Sequence, residues 1–356
     1  MACVYRVRWR WVRRLAACVS CACLVLLSSA TVFAAPSMRM GSLKGLTMGT
    51  SWTVTVVLPS SSDLPTLKRV VQAALDRVDA QMSTYKPDSS LNRFNRAPAG
   101  SWQVLEPEFF TVLAHALSVA RDSEGAYDPT VGPLVDLWGF GPATPSAMPP
   151  SSSSIDAARA RVGWQRLRLD AATRRALQPG GVALDLSAVA KGFGVDEAGR
   201  ALERAGIASY LVEVGGELRG RGRKADGSSW RVGVERPDAA TAAARATDIG
   251  TGVLLDDMSI ATSGDYRRFR AGADGRQSHH IDPATGRPVR GDLASVSIVA
   301  TDCMQADAWG TAFSVMGVER SMAFASRRNM PVLIVERRGD RFVEHVTPQF
   351  VAMIQP

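Results

Sequence analysis

The sequence predicts an α+β fold on two observations about order and one about composition. Short runs of alternating or continuous apolar residues read as strands, and longer segments with apolar residues three and four apart read as helices. The two kinds do not follow the regular strand–helix–strand order of a doubly wound parallel sheet. A chain of 356 residues that is 46% hydrophobic and 21% charged has material for a sizeable core. The same composition excludes a disordered, collagen-like or multi-span membrane protein. No repeat of fixed period is visible, so the chain after its leader reads as one large domain with mixed sheets and flanking helices.

The leader comes first. Arg6, Arg8, Arg10, Arg13 and Arg14 open the chain, and no acidic residue precedes Asp63. Residues 15–33 carry no charge, and small residues follow at Ala34 and Ala35. A basic start, an apolar run and a small-residue site read as a secretory signal over 1–34, cleaved near Ala34 or Ala35. The expected location is therefore periplasmic. An uncleaved leader is just long enough to span a bilayer and would attach the protein to the inner membrane instead. Leu15-Ala16-Ala17-Cys18 precedes the apolar run rather than following it, so no lipid tether is expected. Without the five arginines the net charge of +8 falls to +3, which leaves nucleic-acid binding without support. Four of the five cysteines also lie in the leader. Cys303 alone remains, so neither an internal disulfide nor a thiolate metal cage is expected.

Residues 50–58 alternate polar and apolar side chains and predict a strand. Leu67, Val70, Val71, Ala74, Leu75 and Val78 predict a helix over 67–82, and a second is expected over 106–123. The Gly/Pro/Ser-rich segment 140–154 reads as an exposed loop. Strands are expected over 164–169 and 182–186, then a helix over 188–205. Further strands are expected over 210–214, 230–235 and 292–300, followed by a long helix over 305–327 and a strand over 332–336.

Four segments place polar groups where a core or a plain turn does not need them. Asp307 and Thr311 share one helix face at i and i+4, and both are hard oxygen donors of the kind Mg²⁺ takes. Taken alone, an acid in a first helical turn explains that pair as well. Asp185-Leu186-Ser187-Ala188-Val189-Ala190-Lys191 runs from an apolar strand into a helix that opens with a lysine. Strand-to-helix turns present amides to anions, and a lysine there suits a phosphate, although an N-cap with a solvated lysine is an equal reading. Ser278-His279-His280-Ile281-Asp282-Pro283 sets two of the four histidines beside a turn. His279 is the candidate for proton transfer or ligation, and His280 reads as a solvated loop residue. Gly125-Ala126-Tyr127-Asp128-Pro129 puts a ring and a carboxylate on a tight turn, either structural or a stacking surface for a ring-bearing ligand.

The order and spacing of these segments resemble the ApbE family, the FAD:protein FMN transferases. The resemblance runs from Met48-Gly49-Thr50 to about Gly317. It includes Met82-Ser83-Thr84-Tyr85, Ser90-Leu91-Asn92-Arg93-Phe94-Asn95, Val214-Gly215-Gly216-Glu217 and Ile260-Ala261-Thr262-Ser263-Gly264 with Tyr266. It implies a single ApbE-like domain over 36–356. It further implies FAD contacts from Met48, Tyr85, Ala126, Tyr127, Asp128, Asp185, Lys191 and the backbone near Ile281. A Mg²⁺ ion is implied on the Asp307 carboxylate, the Thr311 hydroxyl and the Ala188 main-chain carbonyl, with Mn²⁺ able to take the same oxygens.

The implied reaction moves FMN from FAD onto a threonine or serine hydroxyl of a target protein and releases AMP. His279 is the expected base. The implied targets are flavoprotein subunits of respiratory membrane complexes, of the sodium-pumping quinone reductase or Rnf type. Two alternatives share the FAD site: a Mg²⁺-dependent FAD pyrophosphatase, and a non-catalytic FAD-binding protein of the periplasm.

Overall fold

A computed structural model describes residues 38–143, 148–235, 249–264, 269–272, 275–339 and 341–355. The expected signal over 1–34 and Tyr266 lie outside the described residues. Ser37–Pro356 forms one compact unit.

The centre is an eight-stranded sheet. Its spatial order is Met38–Thr47, Thr50–Pro59, Ser209–Val214, Glu217–Arg221, Ser259–Gly264, Leu293–Ala300, Val332–Arg338 and Arg341–Val346. Every neighbouring pair is antiparallel, so the expected mixed sheets resolve into antiparallel ones among the described strands. The first strand was not expected from the sequence. It enters through a tight hairpin at Met48-Gly49, whose φ angles of 45° and 72° match the twist of the flanking strands.

Period-two alternation gives the sheet two apolar faces. Trp52, Val54, Val56, Tyr210, Val212 and Val214 meet Leu67, Val71 and Leu75 of the helix Leu64–Met82 and Val195, Ala198 and Leu202 of the helix Ala190–Arg204. Val57, Leu211, Leu218, Ile260 and Val299 point the other way, onto a three-stranded sheet built from Trp230–Glu235, Ile249–Leu255 and Ile354–Gln355. Each fully buried Val, Leu or Ile adds about 1.5–3 kcal/mol of transfer free energy, so this layering dominates stability.

Four expectations about single elements change. The helix expected over 305–327 is two, Cys303–Met316 and Val318–Arg327, because Gly317 takes φ 78° and ends the first. Residues 182–186 join no sheet; a parallel bridge between Val131 and Ala183 and hydrogen bonds from neighbouring segments hold them instead. The segment 164–169 splits into a 3₁₀ turn, Trp164–Arg166, and the short strand Arg168–Asp170. The segment 140–154 is also less irregular than expected. The Ser151 hydroxyl accepts from the Ser154 amide at 3.1 Å and caps the helix Ser152–Arg159.

Candidate active site

Two helices cross at the base of the site. Gly192, on Ala190–Arg204, lies against the start of Cys303–Met316, and a Cβ there would stand 2.4 Å from the Cys303 carbonyl oxygen and 2.8 Å from the Asp307 Cβ. This close approach explains why a glycine follows Lys191. Its amide donates to Asp307 Oδ2 at 2.9 Å rather than to the Ala188 carbonyl four residues back. Asp196, one turn further on, accepts from the Cys303 and Met304 amides at 3.0 Å each, satisfying the N-terminus of the second helix. Arg219 Nη1 lies 3.1 Å from the same carboxylate. Burial still pushes the Asp196 carboxyl up to about 6.

Lys191 stands at the centre. Its Nζ is 2.5 Å from Glu217 Oε1 and 4.0 Å from Asp307 Oδ1. Burial acts to lower this ammonium, but Asp307 and Glu217 outweigh it and hold its pKa raised. Burial pushes the Glu217 carboxyl up to about 7, against the pull of Lys191 and with help from Asp307. Glu217 Oε2 is buried without a hydrogen-bond partner. The sequence reading gave Glu217 no role. Its signal was a carboxylate at the start of a strand, Glu217–Arg221, directly after the positive-φ pair Gly215-Gly216.

The remaining residues gather around this cluster. The Met48 methyl lies over Gly194, where a Cβ would meet it at 2.8 Å, one turn along the helix from Lys191. Asp185 Oδ1 accepts from the Ser187 amide at 2.8 Å, just before Ala188. The Tyr127 ring is buried in the main core, so it presents no open stacking face. Its hydroxyl has no hydrogen-bond partner. Burial raises the phenol well above its ordinary value, and Asp307, Asp185 and Asp128 add to that shift, which places it among these carboxylates.

Asp128 is fully engaged in the turn. It accepts from the Thr130 amide and hydroxyl at 2.8 and 2.6 Å and from the Trp164 amide at 3.1 Å. Ala126 belongs to the same turn, its amide donating to Ser123 O at 3.2 Å. This part of the chain is therefore a built turn that holds Tyr127.

On the outer side Tyr85 is exposed, with its hydroxyl 3.4 Å from the Phe140 carbonyl oxygen. The Phe140 ring lies edge-on to His279, with centroids 6.4 Å apart, and His279 stacks at a tilt on His280 at 4.1 Å. His279 is half-buried. His280 is buried, which corrects the expectation of a solvated residue. Its amide donates to Ser278 Oγ at 3.1 Å, and Ile281 beside it joins the apolar cluster of Leu134, Trp138 and Ile155. Burial drives the His280 pKa well below its usual value, and His279 and Lys191 push in the same direction.

The donor chemistry fits a hard divalent cation. Asp307, the half-buried Thr311 one turn later, and the Ala188 carbonyl that Gly192 leaves unengaged are all oxygen donors. Among the described residues no three His, Cys, Asp or Glu side chains cluster to hold a metal. A cation held by Asp307, Thr311 and Ala188 would have one carboxylate and two neutral oxygens as protein ligands.

A lysine fixed beside carboxylates, oxygen atoms at a helix junction and a flanking imidazole bring together the chemistry that suits a phosphate-bearing ligand. Comparison with known proteins narrows that class. The ApbE family model matches residues 48–334, and the chain belongs to the ApbE family. FAD:protein FMN transferases from Vibrio cholerae and Salmonella typhimurium are each 38% identical to it; they align over 86% and 90% of this chain and 91% and 90% of their own. The solved structure of the flavin transferase ApbE from Vibrio cholerae superposes with a TM-score of 0.81 at 36% identity. It covers 89% of this chain and all of that one.

Proposed function

We propose that this protein is an FAD:protein FMN transferase that moves FMN onto a threonine or serine hydroxyl of a target protein. The observation that carries the reading is the junction where the Gly192 amide donates to Asp307 Oδ2 at 2.9 Å and Lys191 Nζ stands 4.0 Å from Asp307 Oδ1. In the reaction the acceptor oxygen bonds to the FMN-side phosphorus, and that phosphorus loses its bond to the bridging oxygen, which leaves with AMP. A bound Mg²⁺ on Asp307, Thr311 and Ala188 would supply charge neutralisation for the pyrophosphate. Lys191 adds a fixed positive charge on the same side, held in place by Glu217. His279 takes the proton of the attacking hydroxyl, since imidazole accepts protons near neutral pH. Tyr85, exposed at the outer wall, offers the face for the isoalloxazine ring, and Met48, Asp185 and the turn at Ala126-Tyr127-Asp128 line the remainder.

The basic, apolar leader supports export, with the domain beginning near residue 36. In the periplasm the acceptors are flavoprotein subunits of respiratory membrane complexes. The test uses purified protein, FAD, Mg²⁺ and a threonine-bearing flavinylation peptide, with AMP and peptide mass followed together. A peptide heavier by one FMN-phosphoryl group, with matching AMP, is expected. FMN and AMP with unmodified peptide would show water acting as acceptor, and tight binding of intact FAD would show a flavin carrier.

A further inference from the structure

The short helix Ser90–Asn95 holds both walls of the site through two asparagine amides. Asn95 closes a two-point pair with the backbone of one residue of the inner wall: the Leu184 amide donates to Oδ1 at 2.7 Å, and Nδ2 donates to the Leu184 carbonyl at 3.0 Å. That is the pattern a neighbouring strand would offer, supplied by one side chain to a buried segment that joins no sheet. The next residue is Asp185, whose amide donates to the Pro129 carbonyl at 2.8 Å; Ala188 and Lys191 follow within two turns of chain. One helical turn before Asn95, Asn92 Nδ2 donates to the carbonyls of Thr84 and Lys86 at 2.9 Å each, on either side of Tyr85.

We infer that Asn95 is a positioning residue for the transfer reaction. By fixing the Leu184 backbone it sets where the Asp185 carboxylate and the Ala188 carbonyl stand relative to Asp307. It touches neither substrate nor metal itself. This rests on the flavin-transfer reading of the site.

The test is Asn95→Asp in the full protein. It keeps the oxygen that accepts from the Leu184 amide, removes the donor to the Leu184 carbonyl, and sets two oxygens against each other. Supporting shell residues of this kind typically change metal affinity or activity by about 10- to 100-fold. We expect the FAD Kd, read by flavin fluorescence without turnover, and the Mg²⁺ concentration for half-maximal AMP release each to rise about 10-fold.

The control is Phe350→Leu, in the apolar layer on the other face of the sheet, which lowers the melting temperature without touching the site. It should leave both constants unchanged. If Asn95→Asp does not fold, Asn95→Gln serves: it keeps the amide on a longer stem and should shift both constants by a smaller factor at an unchanged melting temperature. A melting loss with unchanged constants, or constants that move equally in Phe350→Leu, overturns the inference and leaves Asn95 a fold residue only. Wild-type protein that neither binds FAD nor releases AMP would instead refute the transfer reading itself.

Discussion

Lys191 faces two carboxylates of unequal standing, and the difference assigns their roles. Glu217 takes the direct ion pair at 2.5 Å, while Asp307 stays 4.0 Å away with one oxygen engaged by the Gly192 amide. Asp307 thus keeps Oδ1 available for a cation, and Thr311 adds a hydroxyl from the same helix face. Thr311→Val preserves side-chain shape and removes that oxygen. The Mg²⁺ concentration for half-maximal AMP release should then rise about 10-fold while the melting temperature stays put; an unchanged Mg²⁺ requirement would place the cation elsewhere. His279→Ala should cut transfer by about 10²–10⁴-fold with FAD still bound, as expected for the loss of a general base. Loss of FAD binding in that variant would make His279 a ligand contact. At this scale the sequence was legible where helical spacing set the geometry: Asp307 and Thr311 do lie one turn apart on a single helix. It misled at His280, because a histidine beside a turn looks solvated until the packing around Ile281 buries it.

The helices and strands add a constraint that no single residue shows. Ala190–Arg204 and Cys303–Met316 approach so closely at Gly192 that the site geometry depends on a missing Cβ. Gly192→Ala would place that carbon 2.4 Å from the Cys303 carbonyl oxygen and 2.7 Å from its carbon, both main-chain atoms of a helix start. The backbone cannot yield there as a flexible side chain would, so the helices must separate. Overpacking of this kind costs about 1–3 kcal/mol, and a lower melting temperature is expected together with a higher Mg²⁺ concentration for half-maximal AMP release. Unaltered stability in a thermal melt would show that the junction has slack.

Strong periodic segments such as Leu64–Met82 and Thr50–Pro59 were readable in the sequence because one face of each is buried continuously. Residues 182–186 read as a strand for the same reason, being apolar. Their partners, however, are the Asn95 side chain, Pro129 and Val131, which no local pattern announces. The break at Gly317 was equally hidden, since helical spacing continues on both sides of it.

Across the whole molecule, burial sets groups of opposite sign against each other as pH falls. Glu217 and Asp196 are raised, to about 7 and about 6, so the stability they contribute is fully present below their unfolded values and is lost as pH rises through these folded values. His280 and His115 are lowered by burial, the latter partly offset by Asp302, so their contribution runs the other way. It is fully present above the unfolded value of 6.5 and declines as pH falls toward their folded values, because the unfolded chain then binds protons that the native protein refuses. A melting curve of the wild type alone would mix these opposed effects. The difference between wild type and His280→Gln isolates one of them, since Glu217, Asp196 and His115 contribute to both proteins alike. Each pH unit below 6.5 should favour the variant by up to about 1.4 kcal/mol relative to wild type. For a domain of this size that is a relative gain of roughly 2–4 °C in melting temperature per pH unit, measured between pH 7.5 and 5.5. Parallel melting curves over that range would show that His280 is protonated in the folded protein, with its ring reached by solvent rather than sealed behind His279 and the cluster around Ile281.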